Sequence, residues 1–139
     1  MTTNFSGYVL AGGKSSRMKT DKAFLKLGGE TFLRRAAGAL APACHGRVKI
    51  VINENQKAKF EKSFPSFDFV FDLFPERGAL GGIHAALKNC ETECAIILAC
   101  DLPLVTGEAI EALTKCVVSE DIAAIVPTQP DGRFQPLCA

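Results

Sequence analysis

The chain has 139 residues with 16 basic and 15 acidic side chains, a formal charge of +1, and so is the size of one domain with a single core. Charges that nearly cancel argue against a protein that coats nucleic acid or lies on a membrane surface, since both need a basic excess on one face. No apolar run approaches the roughly 20 residues that span a bilayer, and no basic stretch precedes an apolar one at the start, so the expectation is a cytoplasmic protein with neither nucleic acid nor membrane as partner. The six cysteines are scattered, several inside apolar segments where a free thiol acts as a small hydrophobe. They form no CxxC pair and accompany no HxxxH cluster, so neither disulfides nor structural zinc are expected.

Tyr8, Val9 and Leu10 suit a buried strand, which empties through Ala11 into Gly12-Gly13. Two missing side chains there let backbone N–H groups approach an anion. Lys14, Arg17 and Lys22 follow within about ten residues, opposed only by Asp21, and can meet phosphate charge. Residues 23–27 read as a short extended arm closed by Gly28-Gly29. Thr31 is a suitable N-cap for a helix carrying Phe32, Leu33, Ala36, Ala37 and Leu40 at helical spacing until Pro42. The β-branched run 48–52 predicts a second strand, parallel to the first and ending at Asn53. Residues 55–63 read as a short solvated helix, not a ligand site.

Phe67, Phe69, Val70 and Phe71 predict a third strand ending at Asp72, before a loop with Pro75 and Gly78. Leu80-Gly81-Gly82 opens a small-residue helix whose glycines let its end approach a ligand. Residues 94–100 are the most continuous apolar run and predict a central strand covered on both faces, ending at Asp101-Leu102-Pro103. Residues 107–119 predict a further helix and 122–126 a further strand. Asp131-Gly132 is a turn signal, and residues 134–139 begin another extended segment. Strands alternating with helices indicate an α/β fold of three layers, Rossmann-like, around a mostly parallel sheet.

Ligands in such sheets bind beyond the carboxyl ends of the strands. Reading those ends in turn yields Gly12-Gly13, Asn53, Asp72 and Asp101: a phosphate cradle, a neutral hydrogen-bonding group and two carboxylates, placed to converge on one nucleotide. The spacing is neither GxxxxGK[ST] nor GxGxxG. His45 and His84 read as non-catalytic, because transfer to an already ionised phosphate needs no general base.

The run Leu10-Ala11-Gly12-Gly13-x-Ser15-x-Arg17-Met18-x-x-Asp21-Lys22 resembles the signature of the nucleotidyltransferases that act on sugar phosphates. With Gly78-x-Leu80-Gly81-Gly82 and Cys100-Asp101-Leu102-Pro103 it is most similar to the molybdenum cofactor guanylyltransferases. The resemblance covers essentially the whole chain and implies one nucleotidyltransferase domain over residues 1–139, of the nucleotide-diphospho-sugar transferase type. It implies transfer of GMP from GTP to the phosphate of molybdenum-bound molybdopterin, with release of pyrophosphate and a requirement for Mg²⁺. By that resemblance Leu10, Ala11, Gly12, Gly13 and Lys22 hold the nucleotide, Asn53 and Asp72 contact GTP, and Asp101 binds both nucleotide and metal. Arg17, Lys22 and Asp101 form the catalytic set, with molybdoenzyme-maturation proteins as further partners.

Two departures from the family stand out. Lys19 occupies a position where it usually has Gly, and its members continue past a segment like Gln135-Pro136-Leu137 into an asparagine-rich motif that completes the cofactor pocket. The expectation is therefore a domain lacking its C-terminal part. The alternatives are a cytidylyl- or sugar-phosphate nucleotidyltransferase, since the loop reads phosphates and not the base, and a non-catalytic nucleotide-binding module.

Overall fold

The computed structural model describes residues 3–12, 21–117, 119, 121–136 and 138. Four parallel strands form the central sheet: β1 (Phe5–Leu10), β4 (Val48–Ile52), β5 (Asp68–Phe71) and β6 (Cys94–Ala99), in the order β5-β4-β1-β6. Between β1 and β4 lie a two-stranded hairpin, β2 (Lys26–Leu27) and β3 (Glu30–Thr31), and helix α1 (Phe32–Leu40). Helices α2 (Lys57–Ser63), α3 (Ala79–Lys88) and α4 (Gly107–Thr114) complete the element list.

Capping sets the helix starts as the spacing predicts. The Thr31 hydroxyl oxygen accepts from the Arg34 N–H at 3.3 Å, and the Thr106 hydroxyl oxygen from the Ala109 N–H at 3.2 Å, each satisfying an otherwise orphaned first-turn donor. Val9, Ile50, Ile52 and Leu98 point to the layer that holds Leu33, Leu40, Phe60 and Ile110, while Tyr8, Leu10, Val51, Val70 and Ile97 pack with Ala85 and Ala86 of α3. Alternation along each strand thus feeds two cores, one per face, giving the three layers expected of the sequence.

Four expectations change. The extended arm at 23–27 is a 3₁₀ turn over Lys22–Phe24 followed by β2, because Phe24 turns inward against Phe60 and Phe64. The run 94–100 is covered on both faces, but it is not central. β6 ends the sheet order, and beyond it among the described residues lies a single antiparallel bridge from Leu98 to Cys138. The helix predicted over 107–119 stops at Thr114, whose hydroxyl donates to the Glu111 carbonyl at 2.7 Å and competes with the helical ladder.

The strand predicted at 122–126 is absent from the described ladders. Ile122 is 39% exposed, and a cleft of ≈ 210 Å³ lined by Phe5, Cys94, Ile96, Leu113 and Ile122 separates this segment from β6. A β-branched run has strand propensity, but a strand needs a neighbour to complete its hydrogen bonds. The Asp131-Gly132 turn does form: Gly132 N–H donates to the Gln129 carbonyl, and Thr128 bridges Phe134. All six cysteines are free. Among the described residues no helix is long and apolar enough to cross a membrane.

Phe60 is fully buried, with the rings of Phe24, Phe64 and Phe69 at 5.2, 5.9 and 6.2 Å. Phe60→Ala should therefore cost about 3–5 kcal/mol of unfolding free energy, measured as a lowered urea midpoint with unchanged slope. Burial also pushes the Tyr8 hydroxyl, beside Cys90, up from 10.0 to about 12, and the Cys44 thiol from 9.0 to about 11. Both groups keep their protons in the folded state after the unfolded chain has lost them. Their contribution to stability is therefore full below pH 9 and declines as pH rises through 11 to 12. Urea unfolding should show a lower free energy at pH 10.5 than at pH 8.

Candidate nucleotide site

The sheet register sets the geometry of the site. Leu10 is level with Val51 on one side and with Ala99 on the other. Beyond the last paired residues Gly12 lies against Asn53, and Asp101 falls in the turn that follows β6. Ile52 pairs with Phe71, so Asp72 comes level with Asn53. The ladder runs on into this edge: Cys100 N–H donates to the Leu10 carbonyl at 3.1 Å, and Asp72 N–H to the Ile52 carbonyl at 2.9 Å. Four strand ends thus present their first polar positions along one rim.

Leu10 and Ala11 are buried and serve the fold with their side chains. Ala11 and Gly12 both donate their N–H to the Val51 carbonyl, at 2.9 and 3.0 Å. A side chain at Gly12 would put its Cβ 3.0 Å from Asn53 Oδ1, so glycine is what lets the chain leave β1 across Asn53. Asn53 Oδ1 is buried and has no hydrogen-bond partner among the described residues. Gly13 and Arg17, and with them Lys14 and Lys19, lie outside the described residues.

Lys22 and Asp101, 79 positions apart, meet with Nζ to Oδ2 at 3.4 Å. Their side chains are 47% and 43% exposed, so the pair contributes roughly 0–1 kcal/mol and separates readily. Asp101 is held at its place by the turn that follows β6, in which Leu102 N–H donates to the Ala99 carbonyl and Arg35 of α1 donates from Nε to the Pro103 carbonyl at 3.0 Å. Just behind it Cys100 is buried, and burial together with the Asp101 charge pushes its thiol up to about 12. A protonated thiol is no nucleophile at neutral pH.

Asp72 is used differently. Its Oδ1 accepts from the Phe74 N–H at 2.7 Å and so closes a turn at the start of the loop to α3. That carboxylate and the Phe74 carbonyl lie against Gly81, where an added Cβ would stand 2.5 and 2.7 Å from the Asp72 oxygens. Of the glycine pair expected to approach a ligand, Gly81 is thus needed for α3 to lie against the loop itself, while Gly82 packs against Leu10 of β1. His84 stacks edge-on to Phe74 at 5.2 Å and His45 sits in the turn after α1 at φ 51, neither of them beside Lys22 or Asp101.

The sequence reading gave no site role to Gln56 or Lys59, and read Asp21 only as an opposing charge within the signature. Asp21 Oδ1 accepts from Gln56 Nε2 at 3.2 Å, Asp21 Oδ2 accepts from Lys59 Nζ at 3.1 Å, and Gln56 Oε1 accepts from the Asn53 N–H at 2.8 Å. The segment at 55–63 is therefore more than a solvated helix. Its first turn ties the residue before Lys22 to the end of β4. Gln56 stands three residues after Asn53, the spacing of a residue that reaches back to an N-cap, and that signal could have marked it. Nothing local marks Lys59.

Asp101 offers one exposed hard oxygen donor with a cation beside it, and among the described residues no three His, Cys, Asp or Glu side chains converge. This donor set does not suit a closed zinc cage. It does suit Mg²⁺, which takes one or two carboxylates together with phosphate oxygens and water.

Residues 7–139 match the family model described as a MobA-like NTP transferase domain. A probable molybdenum cofactor guanylyltransferase of Clostridium perfringens is 35% identical over 135 residues, covering 96% of this chain and 64% of that protein. The crystal structure of molybdopterin-guanine dinucleotide biosynthesis protein A from Archaeoglobus fulgidus superposes with a TM-score of 0.72 at 26% identity, over 96% of this chain and 65% of that one. A 4-diphosphocytidyl-2C-methyl-D-erythritol synthase from Anaerococcus prevotii shares the fold, with a TM-score of 0.62 at 13% identity, over 95% and 62% of the two chains. The chain thus spans just under two thirds of the length of the relatives it matches.

Gly81→Ala should displace the Asp72 turn and cost about 2 kcal/mol of stability. Chemical denaturation beside the wild type checks the loss, and a stability equal to wild type would mean that α3 does not press on Asp72.

Proposed function

The chain belongs to the MobA-like NTP transferase family, and on that premise we propose that it carries the GTP side of a guanylyl transfer, in which GMP passes to the phosphate of molybdenum-bound molybdopterin and pyrophosphate leaves. One observation carries the reading: a lysine and an aspartate, Lys22 and Asp101, stand 3.4 Å apart at the edge where β6 ends. A triphosphate with its metal ion is a ligand that engages both charges at once. The half-exposed pair exchanges partners cheaply, Lys22 for phosphate oxygens and Asp101 for a divalent cation.

In this reading the acceptor phosphate oxygen forms a bond to the α-phosphorus of GTP. The bond from that phosphorus to the bridging oxygen breaks, and pyrophosphate departs with the electron pair. By the family's pattern Leu10, Ala11, Gly12 and Gly13 are assigned to the nucleotide, and Lys22 and Arg17 to the charge that builds on the leaving group. Asn53 and Asp72, by their likeness to the family's positions, are assigned to the nucleoside. Asp101 would hold Mg²⁺, which when bound supplies charge neutralisation on the phosphates. No side-chain nucleophile is required, in keeping with a buried, protonated Cys100. A cytoplasmic setting, where GTP is available, goes with this chemistry.

Thermal unfolding with Mg²⁺ and each of GTP, ATP and CTP tests the base assignment: GTP should raise the melting temperature most, and equal shifts from all three would overturn it. Asp101→Asn should erase the strengthening of GTP binding by Mg²⁺, about tenfold or more, and reduce GTP-dependent pyrophosphate release with molybdopterin about 100-fold. Metal-dependent binding and release at the wild-type level in that variant would remove Asp101 from the site.

A further inference from the structure

Asp21 and Lys22 are consecutive in the chain, yet their side chains are held from opposite ends of the rim. The Asp21 carboxylate is taken by Gln56 and Lys59 beyond β4, while Lys22 reaches Asp101 beyond β6. The backbone between them is short and fixed: Phe24 N–H donates to the Asp21 carbonyl at 3.0 Å and Leu25 N–H to the Lys22 carbonyl at 3.1 Å, and the buried Ala23 and the Phe24 ring seat this turn on the core. Where Asp21 is held therefore decides where Lys22 emerges.

Of the two groups on Asp21, Lys59 is 53% exposed and its charge is open to screening. Gln56 is part-buried and uses both ends of its amide, Oε1 accepting from the Asn53 N–H at 2.8 Å and Nε2 donating to Asp21 Oδ1 at 3.2 Å. A glutamate would lose the donor and a lysine the acceptor, so an amide suits a position between a backbone N–H and a carboxylate. Leaving either partner unsatisfied in this half-buried setting costs more than a surface contact would return.

We propose that Gln56 is a positioning residue: its amide ties the end of β4 at Asn53 to Asp21, and so holds the Lys22 ammonium in front of Asp101. Gln56 acts through Asp21 and Lys22 and makes no contact of its own with the nucleotide. The inference rests on the reading above for what Lys22 binds, but not for where Lys22 sits.

Lysine acetylation of the ligand-free full chain, read residue by residue by mass spectrometry, tests the placement without any nucleotide. Gln56→Leu should raise the labelling of Lys22 severalfold while leaving the other lysines outside the Asp21 contact, such as Lys88 and Lys115, unchanged. A role in stability alone would lower the melting temperature without singling out Lys22. The exchanged pair, Gln56→Glu with Asp21→Asn, reverses donor and acceptor along the same link. It should return Lys22 labelling to within about twofold of wild type, which also guards against a Gln56→Leu chain that fails to fold.

Binding of GTP with Mg²⁺ supplies the second arm. Gln56→Leu should weaken it about tenfold, the effect of one lost hydrogen bond to a charged group, and should add nothing further once Lys22→Met is present. Unchanged Lys22 labelling in Gln56→Leu, failure of the exchanged pair to restore it, or full additivity with Lys22→Met would each overturn the proposal. If the wild type bound no GTP, the function proposed above would fall, and the acetylation pattern would still decide whether Gln56 places Lys22.

Discussion

The parallel pairing of β1 with β4 on one side and β6 on the other is the constraint from which the site follows. Parallel strands must be joined by crossovers, so every strand leaves the sheet at the same edge, and the register then determines which residues stand side by side there. With Leu10 level with both Val51 and Ala99, Gly12 comes against Asn53, and the ends of β4 and β6 flank the end of β1 although they are far apart in the chain. The order β5-β4-β1-β6 makes the rim between β1 and β6 the point where successive strands begin to be added on the other side of β1. A crevice opens at such a point because the helices on either side diverge to opposite faces. Here those helices are α1 and α3, which pack on the two separate cores.

What stands on that rim is poised, not rigid. A half-exposed ion pair between Lys22 and Asp101 is too weak to serve the fold, whereas the groups behind it are firmly built. Asp101 lies in a turn tied to α1 through Arg35 and Pro103, and Asp21 is held by part-buried Gln56. Charged ends that are cheap to separate, mounted on supports that are costly to move, suit a site whose ligand must replace both halves of the pair. Asp72 shows the contrary allocation: its carboxylate is already engaged by the Phe74 N–H and pressed against Gly81.

Much of this was legible locally. The cap at Thr31, the apolar runs of β1 and β4 and the residue closing each strand are short-range signals, and each reports on chemistry within a few positions. The assignments that changed all depend on a distant partner. The apolar run at 94–99 reads as central because both its faces are covered, yet coverage of the faces says nothing about which strands lie at its edges. Residues 122–126 have strand propensity and stand across a cleft from β6 without a ladder. Phe24 leaves the extended arm because Phe60 and Phe64 offer it a ring cluster, and neither is predictable from residues 23–27 alone.

The amino-acid sequence by itself determined the class of the fold, its family, and the residue types at each strand end, because hydrophobic period, capping and glycine placement act over a turn or two of chain. Only the tertiary structure decided how those ends combine: that Lys22 meets Asp101, that Gly12 clears Asn53, and that Gln56 joins Asn53 to Asp21. Those contacts depend on strand order and register, which are properties of the packed sheet and leave no mark in any local stretch.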